Sequence, residues 1–85
     1  DLLRADALRF LTANRERPFF LYFATTAPHA NNERTRATGE GNEVPSDAPY
    51  TAEAWPQAEK NKAAMITRMD ADIGALLARL RELGL

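Results

Sequence analysis

An α/β segment, read in order as a helix, a central strand, a long loop and a long helix, is the architecture that this sequence of 85 residues predicts. Three observations carry that reading. An unbroken apolar run, Phe19, Phe20, Leu21, Tyr22, Phe23, Ala24, stands between Pro18 and Pro28. Without polar alternation it reads as a strand covered on both faces, the pattern of a central strand in a parallel or mixed sheet flanked by helices. Before the run, and again well after it, apolar residues recur at helical spacing. Between His29 and Pro56 neither period is present.

The first helix is expected from an N-cap at Asp1 to about Asn14, with Leu3, Ala7, Phe10 and Leu11 on one face and Arg4, Asp6 and Arg9 mostly off it. Asn14 to Pro18 is a polar break, and Pro18 biases Arg17 toward the extended geometry of the strand that follows. Asn31, Asn32, Gly39, Gly41, Asn42, Pro45, Ser46, Asp47 and Pro49 then supply turn chemistry over a loop of more than 20 residues. Loops of that length in compact domains are usually functional or disordered. Tyr50 and Trp55 favour an ordered excursion, because two large aromatics can pin a loop to the body of a fold.

The long helix begins at about Pro56, with proline suited to the first turn and Glu59 near the positive end of the dipole. Ile66, Met69, Ile73, Leu76, Leu80 and Leu83 form its apolar stripe, and Gly84 follows as a C′ residue after Arg79 and Arg81. One strand between two helices leaves its own backbone groups unpaired, and no second strand-like run exists here. The chain is therefore expected to be completed either by oligomerisation or by the rest of a larger α/β protein. Parallel sheets normally come from repeated αβ units of one chain, which favours the larger protein.

Composition narrows the function classes. With 45% hydrophobic and 27% charged residues the chain is of ordinary globular type. Its longest apolar run is far short of the roughly 20 residues of a membrane helix, and its first residues lack the organisation of a signal peptide. A net charge of −1, from 11 basic and 12 acidic residues, provides no basic field for nucleic acid. Cysteine is absent, which removes disulfides, thiolate metal sites and cysteine catalysis from these residues. The compartment stays open.

His29 is the leading candidate for chemistry. In open α/β sheets ligands bind beyond the carboxyl ends of the strands, where the single histidine of the chain would stand. It is followed by Ala30, Asn31, Asn32 and Glu33, so an imidazole, two carboxamides and a carboxylate crowd one corner. An imidazole there can donate to an anionic oxygen or protonate a leaving group; the plain alternative is a structural surface histidine. Asn31 and Asn32 are candidate contacts to polar groups of a substrate, against the commoner role of asparagine in Asx turns. His29 with Glu33 lacks the further ligands a metal site needs, so no metal-ligating set is assigned.

Asp70 lies at the edge of the long helix's stripe, where an unpaired carboxylate would be costly, so it is expected to find a structural partner. Gly74, on the same face, suggests close approach of another backbone. Asp72, four residues after Arg68, reads as half of a solvated helix pair. Gly39-Glu40-Gly41 is a turn rather than a phosphate loop.

Taken in order, Pro18-Phe19-Phe20-Leu21-Tyr22, Pro28-His29-Ala30-Asn31, Val44-Pro45, Tyr50, Trp55-Pro56, Ala64-Met65-Ile66-Thr67-Arg68-Met69-Asp70-Ala71-Asp72-Ile73-Gly74, Leu80 and Leu83-Gly84 resemble the middle of a sulfatase of the arylsulfatase type, within the alkaline phosphatase superfamily. The resemblance covers nearly the whole chain. It implies an alkaline-phosphatase-like mixed-sheet sandwich, of which residues 1–85 are part of the catalytic domain. It also implies a calcium ion, a formylglycine nucleophile made in a C/S-x-P-x-R motif, and hydrolysis of a small-molecule or glycan sulfate ester through a covalent sulfate intermediate. His29 matches the family's histidine in the Pro-His corner that contacts the sulfate, and Asp70 is given a structural role.

Neither the C/S-x-P-x-R motif nor the family's downstream Asp-Asn calcium motif occurs in these residues. Nucleophile and calcium are thus expected from outside them, the 85 residues alone are expected to be inactive, and the remainder of the parent domain is the implied partner. Two alternatives stand beside this reading. One is a phosphonate or phosphodiester hydrolase of the same superfamily, which holds a tetrahedral anion similarly. The other is a non-catalytic interaction module that pairs through its long helix.

Overall fold

The computed structural model describes residues 2–85, and its regular elements are three helices: α1, Leu2–Ala13; α2, Asn32–Thr38; and α3, Gln57–Glu82. The N-cap expected at Asp1 lies outside the described residues. Two compact units divide the chain, one made of residues up to Thr25 together with Asp70–Leu85, the other of Thr26–Met69. The long helix contributes its last turns to the first unit and its first turns to the second.

In the first unit Ala7 and Leu11 of α1 and Leu76 of α3 form the buried centre, with Leu11 only 2% exposed. Phe10, Leu80 and Leu83 close around them. The helix α1 ends as its polar sequence demands: the Asn14 backbone N–H and side-chain Nδ2 both donate to the Phe10 carbonyl, and the Arg17 guanidinium donates to Asn14 Oδ1 at 2.7 Å. These bonds satisfy acceptors that a helix end otherwise leaves open.

The expected central strand does not form. Among the described residues there is no strand and no sheet, so the α/β reading with its mixed-sheet sandwich is corrected to an all-helical arrangement. The apolar run 19–24 has no ladder partner, and a strand exists only through such pairing. Its exposure nevertheless alternates with period two, as an extended chain requires. Phe19, Leu21 and Phe23 pack on the helical core, and Phe19 meets Phe10 edge-to-face with ring centroids 5.6 Å apart. Phe20 and Tyr22 point the other way and are 87% and 80% exposed. The expectation of cover on both faces fails because one layer of helices covers one face.

The phase of α3 also differs from the expected stripe. Met65, Asp72 and Leu76 are buried, whereas Ile66, Ile73 and Leu77 are at the surface. It is Asp72, not Asp70, that enters the packed face, where its carboxylate takes the Arg4 guanidinium at 3.1 Å. Asp70 is exposed and Gly74 has open space where a Cβ would stand, so no other backbone approaches it among the described residues. Gly84 does end the helix as expected. With φ of 70° it lets its own N–H reach the Arg81 carbonyl and the Leu85 N–H reach the Leu80 carbonyl at 2.9 Å, the paired bonds of a Schellman cap.

In the second unit the excursion from His29 to Pro56 is ordered and contains α2, a helix absent from the sequence reading. Tyr50 stacks on Trp55 with centroids 5.5 Å apart, and its hydroxyl hydrogen-bonds Thr67 on α3 at 2.8 Å. Near the start of α3, Asp47 accepts from the Thr51 hydroxyl at 2.7 Å and from the Gln57 side-chain amide at 3.0 Å. Those bonds, Gln57's first, hold the Asp47 carboxyl below its ordinary range. Ala64 and Met65 are the buried apolar side chains of this unit.

Candidate functional site

The corner that carries His29 is built by hydrogen bonds of its own backbone. Thr26 to His29 is a tight turn closed by the His29 N–H donating to the Thr26 carbonyl at 2.8 Å, with a cis Ala27–Pro28 bond at its centre. The His29 side chain is exposed. Its Nδ1 lies 2.6 Å from the carbonyl oxygen of Ala30. A carbonyl can only accept, so Nδ1 carries the proton in this contact and Nε2 is the nitrogen left for a ligand.

Asn31 is the hub of the next layer. Its backbone N–H donates to the Gly41 carbonyl at 2.8 Å, and its carbonyl accepts from the Thr35 N–H and from the Thr35 hydroxyl. Its side chain is equally committed: Oδ1 caps α2 by accepting from the Arg34 N–H at 3.0 Å, and Nδ2 donates to Glu43 at 2.7 Å. Asparagine is among the best N-cap residues because its oxygen replaces a missing helical acceptor. Asn32 is the first residue of α2 and is exposed. The far end of α2 turns at Gly39, whose φ of 80° suits a residue without a Cβ, and this returns the chain so that Gly41 faces Asn31.

His29, Asn31 and Asn32 therefore share one corner, as their adjacency requires. Thr35, Gly41 and Glu43, which complete that corner, were not legible as part of it. Gly41 carried one signal, a glycine two residues beyond another, which reads as a turn and says nothing of what faces it. Asp70 is not part of the corner; it lies in the other unit. A recess of this unit, with a volume of about 480 Å³, is lined by Trp55, Pro56, Glu59, Lys62, Ala63 and Ile66 and includes none of the predicted site residues.

No group of three or more His, Cys, Asp or Glu side chains that could hold a metal ion occurs among the described residues. The sequence contains no cysteine and no C/S-x-P-x-R motif. No helix among the described residues is long and apolar enough to cross a membrane.

The chain matches the Sulfatase family model over residues 1–85 and belongs to that family. Comparison with curated proteins and with solved structures gives no significant match.

Proposed function

We propose that these residues are part of the catalytic domain of a sulfuric ester hydrolase, and that His29 is its sulfate-contacting residue. The observation that carries this is the pairing of family membership over the whole chain with the contact of His29 Nδ1 to the Ala30 carbonyl. With Nδ1–H directed to the Ala30 carbonyl, Nε2 is the ring nitrogen left for a ligand. A sulfate oxygen is an acceptor, so Nε2 must hold a proton to bind it, and the ring then acts as a cationic donor.

The same proton serves a second purpose. As the sulfuryl group passes to a nucleophile supplied from outside these residues and the ester S–O bond breaks, the leaving oxygen carries the electron pair, and Nε2–H can be handed to it, giving the alcohol and a neutral ring that keeps its Nδ1–H on Ala30. Asn32, exposed at the start of α2, and the second N–H of the Asn31 carboxamide lie beside this position in the chain and would contact polar groups of the substrate. The calcium ion and formylglycine usual in the family would come from residues outside these 85, which on their own would be inactive. The substrate is a small-molecule or glycan sulfate ester.

The test is to purify the full-length protein that carries this chain and assay it on an aryl sulfate, on an aryl phosphonate monoester and on a phosphodiester. Turnover of the sulfate well above the others is the expected result. Preference for the phosphonate or phosphodiester would move the assignment to that neighbouring reaction, and failure on all three would remove the hydrolase reading.

A further inference from the structure

The Ala30–Asn31 peptide has hydrogen bonds on both of its edges. Its carbonyl, on Ala30, accepts from His29 Nδ1, and its N–H, on Asn31, donates to the Gly41 carbonyl. A peptide unit is planar and stiff, so these two bonds are coupled through one rigid plate. Moving Gly41 tilts the plate, and tilting the plate moves the oxygen that holds the imidazole.

Gly41 is also the one glycine of the chain with no room for a side chain. A Cβ there would stand 2.5 Å from the Asn31 carbonyl oxygen and 3.1 Å from the Asn31 nitrogen, and closer still to the Thr35 hydroxyl. The backbone of Gly41 is buried against Asn31, although it lies in the loop that the sequence marks only as a turn. Glu43 fastens the same contact from the other side by accepting from Asn31 Nδ2 at 2.7 Å, while its second oxygen lies 3.8 Å from the Arg34 guanidinium. The polar groups of Asn31 are thus engaged from Gly41, Glu43, Arg34 and Thr35 at once.

We infer that Gly41 is a positioning residue for the reaction at His29: its carbonyl, clasped to Asn31 and backed by Glu43, fixes the Ala30 carbonyl that sets the tautomer and aim of the imidazole. The inference rests on the reading of His29 as the sulfate contact. It adds that residues 41 and 43, more than ten positions away in sequence, are part of the machinery while touching neither substrate nor ring. Chains of hydrogen bonds polarise one another, so Gly41 also strengthens the Ala30 oxygen as the acceptor of a cationic Nδ1–H.

The experiment is a set of double-mutant cycles in the full-length enzyme on an aryl sulfate, with Tm followed for each variant. Gly41→Ala and Glu43→Leu are each expected to lower kcat by about 10-fold to 100-fold, the range for a catalytic group displaced by a fraction of an ångström to an ångström. Glu43→Gln, which keeps an acceptor for Asn31, is expected to retain most of the activity. If Gly41→Ala does not fold, the Glu43 pair supplies the cycle. In a His29→Ala background, Gly41→Ala and Glu43→Leu should cost less than about 2-fold more, because the group they position is gone. Full additivity in that background, or unchanged kcat in the single variants, would overturn the inference while leaving His29 in place. A His29→Ala enzyme of undiminished activity would overturn the sulfate contact itself, and this inference with it.

Discussion

The two units of this chain are held together by different forces. In the first, apolar side chains do the holding: Ala7, Leu11 and Leu76 at the centre, Phe19, Leu21 and Phe23 laid across them, with the Arg4 to Asp72 ion pair beside them. In the second, the corner that bears His29 is held by polar groups. Asn31 alone joins Arg34, Thr35, Gly41 and Glu43. Apolar packing is non-directional and tolerates small shifts, whereas hydrogen bonds fix orientation. The proposed contact of one His29 nitrogen with an anion would draw on the second kind of structure.

That contrast can be broken at its strongest point first. Leu11→Ala empties a position that is 2% exposed and should destabilise the intact protein by about 2 to 5 kcal/mol in urea unfolding. A loss below about 1 kcal/mol would mean that the first unit is not held by its apolar centre. Next in size is the ion pair. Removing a buried carboxylate from its cation is costly, but the Arg4 side chain is 41% exposed, so Asp72→Ala should cost on the order of 1 to 3 kcal/mol. Pairing Asp72→Leu with Arg4→Met should recover most of that loss, and a double variant as unstable as Asp72→Ala would show that the pair stabilises beyond its packing.

The smallest effect concerns Asp47, in the polar unit. Its carboxyl titrates below the ordinary value because the charged form accepts from Gln57 and Thr51, so its stabilising contribution is complete above that ordinary value and is lost as pH falls through the lowered one. Asp47→Asn should therefore lower Tm slightly near neutrality, with the difference closing as pH falls below the ordinary carboxylate range. A gap that stays constant with pH would assign the effect to packing instead of charge.

The same contrast explains what could be read without coordinates. The two longer helices were legible, because apolar periodicity, a proline at the start and a glycine at the end act within a few residues of where they stand; α3 begins one residue after Pro56 and Gly84 caps it. The strand was not, since an apolar run states that a segment is to be covered and leaves open what covers it. The phase of α3 differs from that of its expected stripe by a fraction of a turn, which exchanges the roles of Asp70 and Asp72. The missed signal was an opposite charge in the matching stripe: Arg4 lies three residues before Ala7 and seven before Leu11, as Asp72 lies three after Met69 and four before Leu76. The clasp of Asn31 with Gly41 and Glu43 joins residues ten and twelve apart inside a loop, and no local period records such a pairing.

The most direct test of the account is the turnover of an aryl sulfate by the full-length enzyme bearing His29→Ala, measured beside the parent at saturating substrate. Loss of a preorganised donor to the reacting sulfate predicts a fall in kcat of at least 10-fold, on the order of 10² to 10³. Unchanged kcat would remove His29 from the site and leave its corner a structural feature of the loop.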